Sequence, residues 1–121
     1  MIWFRVMIIG EVMKEVVHKL NNDVFTVYVD IDETICFYEN ERVYEKAIPN
    51  NDNINKINRL YDEGKRIIYW TARGSVSKID YYILTEQQLD HWGAHYHQLV
   101  VGNKPFYDLI IDDKAKRIEE L

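Results

Sequence analysis

The feature that most constrains the fold is a short apolar run that ends in two acidic residues. Residues 24–29 read Val-Phe-Thr-Val-Tyr-Val and follow the turn-forming Asn21-Asn22-Asp23. A β-branched and aromatic run after such a turn predicts a buried strand. Its carboxyl end leads directly into Asp30-Ile31-Asp32-Glu33-Thr34. Because open α/β sheets bind ligands at the carboxyl ends of their strands, a ligand site is expected here.

The rest of the chain alternates between strand and helix patterns, which predicts a parallel sheet with helical crossovers and hence an α/β fold. Helices are predicted where apolar residues recur every three or four positions, and strands where short apolar runs end at turns. The expected elements are a hairpin over 36–48, helices over 51–63, 77–92 and 114–121, and strands over 67–70, 98–101 and 109–111.

A chain of 121 residues has the length of one domain, so residues 1–121 are expected to form a single domain. Residues 1–22 form an extra N-terminal element in this interpretation. Within it, residues 2–9 fit an edge strand and residues 11–20 fit a helix. The alternative is an N-terminal arm used in self-association.

The net charge is −5, which lacks the basic excess of most nucleic-acid-binding proteins and makes general nucleic-acid binding unlikely. A small ligand is therefore the default partner. The one cysteine, Cys36, cannot form an internal disulfide and fits a reducing compartment. The apolar start of the chain is far shorter than the roughly 20 residues of a membrane span and lacks a cleavage site. We therefore expect no membrane association and a cytoplasmic location.

Polar residues follow three of the predicted strands. Parallel strands have their carboxyl ends at the same edge of the sheet, so these residues should lie close together. They form three pairs along the chain: Asp30 and Asp32, Thr71 and Arg73, Asp112 and Asp113. Carboxylates gathered there would repel one another by roughly 4 kcal/mol per pair at about 4 Å. A divalent cation would relieve that repulsion, and an all-oxygen shell favours Mg²⁺.

These residue types suit phosphoryl transfer, which needs a nucleophile, charge neutralisation and a proton donor. Asp30 would attack and form an aspartyl-phosphate, while Asp32 would protonate the leaving group and then deprotonate water. Thr71 would donate its hydroxyl to the phosphoryl group, and Lys104 would supply a positive charge. Arg73 is open to two interpretations, a contact to the substrate phosphate or a structural ion pair.

The chain resembles the haloacid dehalogenase superfamily over residues 24 to about 116. Its four signatures stand in order as Asp30-Ile31-Asp32-Glu33-Thr34, Thr71-Ala72-Arg73, Lys104-Pro105 and Leu109-Ile110-Ile111-Asp112-Asp113. The resemblance implies a three-layer Rossmann-like fold around a central parallel sheet. It also implies Mg²⁺ held by the Asp30 carboxylate, the Asp32 backbone carbonyl and an acid of the last motif. Asp113 is favoured there as the direct ligand, with Asp112 supporting it, and the reverse order stays open.

The resemblance further implies substrate binding by Thr71, Ala72, Arg73 and Lys104. The acid at position 32 points to phosphate esters, because superfamily members that cleave carbon–halogen bonds typically lack it. Two departures stand out: Glu33 occupies a position that is often glycine, and the spacing from Lys104 to Asp112 leaves no room for a helix.

No insert is long enough for a cap domain, so the site should be open to a large substrate or closed by a neighbouring subunit of a homo-oligomer. The function expected is Mg²⁺-dependent hydrolysis of a phosphate monoester on a small metabolite such as a sugar phosphate or nucleotide. One alternative is a phosphatase acting on a nucleic-acid end or a phosphoprotein, which a basic rim of Arg42, Lys46, Arg73 and Lys78 would favour. The other is a catalytically silent binding module.

Overall fold

The structure is a computed structural model that describes residues 24–121. It is a small α/β fold with a three-stranded parallel sheet and two α-helices. The strands are β1 (Thr26–Val29), β2 (Cys36–Phe37), β3 (Ile48–Pro49), β4 (Arg66–Thr71) and β5 (Gln98–Val101). The helices are α1 (Asn51–Asp62) and α2 (Tyr82–His91), with 3-10 turns at Tyr44–Lys46 and Ile118–Glu120.

The parallel sheet has the order β1-β4-β5, with β4 in the middle. Val29 lies opposite Tyr69, and Thr71 lies opposite Val101. This register brings the carboxyl ends of all three strands to one edge. The central position of β4 explains its continuous apolar run, since a strand with neighbours on both sides and packing on its faces is buried.

Helix α1 begins at a side-chain cap, because the Asn50 side chain accepts a hydrogen bond from the Asn53 backbone N–H at 3.0 Å. It buries Ile54 and Ile57, which lie three residues apart on one face. Both belong to a core cluster of twelve buried residues: Val29, Ile31, Ile35, Cys36, Ile54, Ile57, Ile67, Tyr69, Leu89, Ala94, Leu99 and Ile118.

Helix α2 begins at Tyr82, five residues later than the sequence pattern predicts. Lys78 has a left-handed φ of 65°, and the Asp80 side chain accepts a hydrogen bond from the Tyr82 N–H at 2.9 Å. A left-handed residue interrupts the helical path, so the preceding residues form turns instead. The predicted hairpin over 36–48 is present at its ends, where β2 and β3 pair antiparallel.

The predicted fourth strand over 109–111 is wrong for this chain. Leu109 and Ile111 are 75% and 90% exposed and belong to no strand. We call residues 105–117 the C-terminal arm, because they leave the body after the buried Lys104 and return at the buried Ile118. The predicted helix over 114–121 is likewise reduced to the 3-10 turn Ile118–Glu120.

The predicted N-terminal element over 1–22 lies outside the described residues. Between residues 24 and 121, neither helix is long and apolar enough to cross a lipid bilayer.

Candidate active site

Asp30 and Lys104 form an ion pair at the carboxyl edge of the sheet. Asp30 is the first residue after β1, and its Oδ1 lies 3.3 Å from the Lys104 Nζ. The same oxygen accepts the Ile31 backbone N–H at 2.8 Å. The Asp30 side chain is 39% exposed, whereas that of Lys104 is 7% exposed. One carboxylate oxygen of Asp30 is thus oriented by two donors while the group stays accessible to solvent.

Lys104 reaches this edge from a loop that side chains fix in place. Its ammonium lies 5.2 Å from the centre of the Trp70 ring and 5.3 Å from that of Tyr107. Its backbone carbonyl accepts a hydrogen bond from the Ser75 hydroxyl at 2.7 Å. A buried ammonium between two aromatic faces is held by its charge and by cation–π attraction. Position 104 therefore carries an oriented cation, as the sequence predicts, although no helix carries it.

Asp32 does not face solvent beside Asp30 but is buried in a bidentate pair with Arg73. The guanidinium donates from Nε to Oδ2 at 3.0 Å and from Nη2 to Oδ1 at 2.8 Å. The Tyr38 hydroxyl and the Cys36 thiol also donate to Oδ1. Arg73 therefore forms a structural ion pair, which is one of the two interpretations that its sequence position allowed.

The remaining donors of Arg73 are directed to α2. Nη1 donates to the Thr85 hydroxyl at 3.2 Å and to the Gln88 side-chain oxygen at 2.6 Å. The guanidinium carbon lies 4.8 Å from the centre of the Tyr44 ring. Since Arg73 is fully buried and its donors face protein groups, it positions Asp32 rather than presenting itself to solvent.

The environment of Asp32 favours its ionised form. Burial by itself raises the pKa of this carboxyl, but the hydrogen bonds and charge of Arg73, with the hydrogen bonds from Tyr38 and Cys36, outweigh burial and lower the pKa below 3.8. Burial and the neighbouring Asp32 charge raise the pKa of the Cys36 thiol to about 12. Cys36 is therefore a neutral hydrogen-bond donor here, not a nucleophile.

A tight turn after β4 aims Arg73 inward. The Ser75 N–H donates to the Ala72 carbonyl at 2.8 Å, and Thr71 accepts the Arg73 N–H on its hydroxyl at 3.2 Å. Gly74 has a φ of +81°, and a Cβ there would lie 2.1 Å from the Ile79 carbonyl oxygen. Only glycine fits that position. Thr71, the last residue of β4, and Ala72, which follows it, thus stand at the same edge as Asp30.

The backbone of Glu33 has a φ of 63°, in the left-handed region that favours glycine. This conformation is the one that glycine, the residue often found at this position in the superfamily, adopts more easily than glutamate. The Glu33 carboxylate lies 3.6 Å from Arg42, and both side chains are about half exposed.

Asp112 and Asp113 lie on the exposed C-terminal arm and not in this cluster. The Asp112 side chain accepts the Lys114 backbone N–H at 3.0 Å, and that hydrogen bond is the main cause of its lowered pKa. Within residues 24–121, no group of three or more His, Cys, Asp or Glu side chains is placed to hold a metal ion. The structure therefore brings Asp30, Lys104 and Thr71 to one edge but leaves the last pair of acids outside it.

Sequence reasoning did not find the partners that orient Asp32. The partners are Tyr38, which hydrogen-bonds both Asp32 and Arg73, and Thr85 and Gln88 on α2, which hydrogen-bond Arg73. All three contact Arg73 across 12 to 35 residues of chain. No local pattern signals such contacts, although polar residues on the inner face of α2 are a hint.

The structure is similar to the crystal structure of an MCSG target from Vibrio cholerae, with 25% sequence identity and a TM-score of 0.71. The match covers 80% of this chain and 86% of that one. No family model matches the chain, and no curated protein matches it. The comparison supports the α/β fold and carries no function with it.

Proposed function

We propose that the chain is a phosphomonoesterase of the haloacid dehalogenase type, with a three-layer Rossmann-like fold and an aspartyl-phosphate intermediate. The observation that carries the proposal is the Asp30 carboxylate at the end of β1. Lys104 and the Ile31 N–H both engage its Oδ1, and the side chain remains 39% exposed. A carboxylate fixed by one oxygen can present the other to an entering phosphate.

In the proposed reaction, an oxygen of Asp30 attacks phosphorus as the bond from phosphorus to the leaving oxygen breaks. The leaving oxygen takes a proton from Asp32. A water molecule then attacks the aspartyl-phosphate, Asp32 takes the water's proton, and inorganic phosphate leaves with Asp30 restored. Lys104 and the Thr71 hydroxyl provide positive charge and a hydrogen bond for the phosphoryl oxygens.

Asp32 must gain a proton to act as the acid, although Arg73 holds its pKa low. A phosphate dianion entering the site supplies a negative charge that raises the pKa of nearby carboxyls. Substrate binding would therefore shift Asp32 toward the protonated form.

A Mg²⁺ dependence is part of this proposal, but the donors that residues 24–121 place at this edge do not by themselves meet the coordination needs of the ion. Mg²⁺ requires near-octahedral oxygen ligands. Asp32 is engaged by Arg73, and Asp112 and Asp113 lie on the arm, so Asp30 is the one carboxylate of the expected set at this edge.

A small phosphorylated metabolite in a cytoplasmic setting is the favoured substrate. A basic rim would favour a macromolecular substrate, but two of its four expected residues are engaged within the protein. Arg73 is buried against Asp32, and Arg42 pairs with Glu33. The silent binding module is disfavoured by the oriented, accessible Asp30.

The test measures phosphate release, with and without Mg²⁺, from sugar phosphates, nucleotides, phosphopeptides and end-phosphorylated oligonucleotides. We expect release from a small-molecule class, and Asp30→Asn should lower it by at least about 10³-fold, because the nucleophile is lost. Asp90→Asn, an exposed acid of α2, is the matched control and should keep full activity. Release that survives Asp30→Asn would exclude the mechanism, and no release from any class would favour a binding module.

A further inference from the structure

The Asp32 carboxylate is saturated with hydrogen-bond donors. Its Oδ1 accepts the Arg73 Nη2–H at 2.8 Å, the Tyr38 hydroxyl, and the Cys36 thiol at 3.5 Å, and its Oδ2 accepts the Arg73 Nε–H at 3.0 Å. A carboxylate has about four lone-pair sites on its two oxygens, and these donors occupy them. In the proposed reaction Asp32 exchanges a proton with the leaving oxygen and then with water. One of the present donors must therefore leave before Asp32 can contact a substrate.

Two of the three donor residues are fixed in the core. Arg73 is 1% exposed, and its Nη1 also donates to the Thr85 hydroxyl and to the Gln88 side chain on α2. Cys36 is fully buried and belongs to the hydrophobic core cluster. Movement of either side chain would leave buried polar groups without partners, which is unfavourable.

Tyr38 is the donor that can move. Its side chain is half-buried, and residues 39–43, which follow it, are all exposed. The Tyr38 ring lies 5.9 Å from the guanidinium carbon of Arg42, whose side chain is itself about half exposed. Tyr38 also lines two surface cavities, one of about 500 Å³ and one of about 360 Å³. The ring therefore has space beside it, and its displacement from Asp32 need not disturb the core.

The Tyr38 hydroxyl has the contacts that the proposed reaction requires of water and of the leaving oxygen. It donates to Asp32 Oδ1 and accepts the Arg73 Nη2–H at 3.3 Å. A water molecule that attacks the aspartyl-phosphate must likewise give its proton to Asp32, and its oxygen can accept the same Nη2–H. The leaving oxygen takes a proton from Asp32 and can use the same two partners.

We propose that the Tyr38 hydroxyl stands at the position of the leaving oxygen and that the substrate displaces it on binding. This inference rests on the proposed phosphatase function. Tyr38 is then a specificity-determining residue, because each ligand must replace the hydroxyl with an oxygen of its own. A ligand that brings no oxygen to Asp32 would leave the broken hydrogen bond unreplaced, so this contact selects against it.

Tyr38→Phe removes the hydroxyl and keeps the ring. A ligand that binds only after a displacement has an apparent affinity reduced by the cost of that step, so the KM of a phosphate ester and the Kd of inorganic phosphate should fall by the same factor. Because the hydroxyl bonds a charged group, we expect that factor to be about tenfold. The kcat should change by less than about twofold, since the hydroxyl is already displaced in the bound state.

Phosphate release in the presence of Mg²⁺ gives KM and kcat, and calorimetry gives the Kd of inorganic phosphate. Tyr82→Phe, which removes the hydroxyl of an exposed tyrosine on α2, is the matched control and should change none of the three. A KM that rises in Tyr38→Phe, or a kcat that falls while KM stays constant, would show that the hydroxyl acts on the bound substrate and would overturn the proposal.

Fluorine NMR measures the displacement without turnover. Fluorotyrosine placed at position 38 should change its chemical shift when inorganic phosphate is added, whereas the same label at position 82 should not. An unchanged signal at position 38 under saturating phosphate would overturn the proposal. If the unmodified protein releases phosphate from none of the substrates, the proposed function fails and this inference fails with it. Release with the same KM in Tyr38→Phe overturns this inference alone.

Discussion

At the scale of single residues, the pair of Arg73 and Asp32 is the centre of the site. It joins the loop after β1 to the loop after β4 by two hydrogen bonds of 3.0 Å or less. Burying two charges is unfavourable unless each is compensated, and here the compensation is nearly complete. Loss of either partner would leave an unpaired charge in the core.

Arg73→Met should lower the free energy of unfolding by about 3 to 5 kcal/mol, because Asp32 would remain buried without its partner. The double variant Arg73→Met with Asp32→Asn should lose less than the sum of the two single variants. Urea unfolding at pH 7 measures this cycle. Arg42→Met is the matched control and should change stability by under about 1 kcal/mol, since its ion pair is exposed.

The same pair predicts the direction of a pH dependence. The pKa of Asp32 is below its unfolded value of 3.8, so the folded state gains stability from the ionised form above pH 3.8. That gain is lost as the pH falls through the lower pKa of the folded state. The coupling measured in the cycle should therefore shrink in strong acid, and a coupling that grows on acidification would contradict the assignment.

At the scale of elements, local sequence patterns predicted the positions of most of the helices and strands. Helix α1 has apolar residues at three- and four-residue spacing and a glycine after its end, and its observed bounds lie close to those predicted. The start of α2 was misplaced because Lys78 and Asp80 form turns that apolar periodicity does not detect. The strand predicted over 109–111 is absent because a strand requires a neighbour, and no strand within residues 24–121 pairs with these residues.

Asn50→Ala should lower the free energy of unfolding by about 1 kcal/mol, because the Asn53 N–H loses its side-chain acceptor. Asn51→Ala, at the exposed first position of the same helix, is the control and should have little effect. Thermal unfolding of the two variants measures the difference. Equal losses would mean that the cap is not the source of the stability.

At the scale of the whole molecule, the parallel sheet gathers Asp30 and Lys104 at its carboxyl edge, whereas Asp112 and Asp113 lie on the exposed C-terminal arm. Residues that are neighbours in the sequence motifs are therefore not all neighbours in the fold.

The sequence by itself determined the strand before Asp30, the helix that begins at residue 51, the two further parallel strands and the polar residues at their carboxyl ends. These depend on residue spacing over a few turns or a few strand positions, which a linear pattern carries. Only the tertiary structure decided that Asp32 pairs with Arg73 and that Leu109 to Asp113 leave the sheet. Both outcomes depend on contacts between residues distant in the chain, and neither leaves a local pattern.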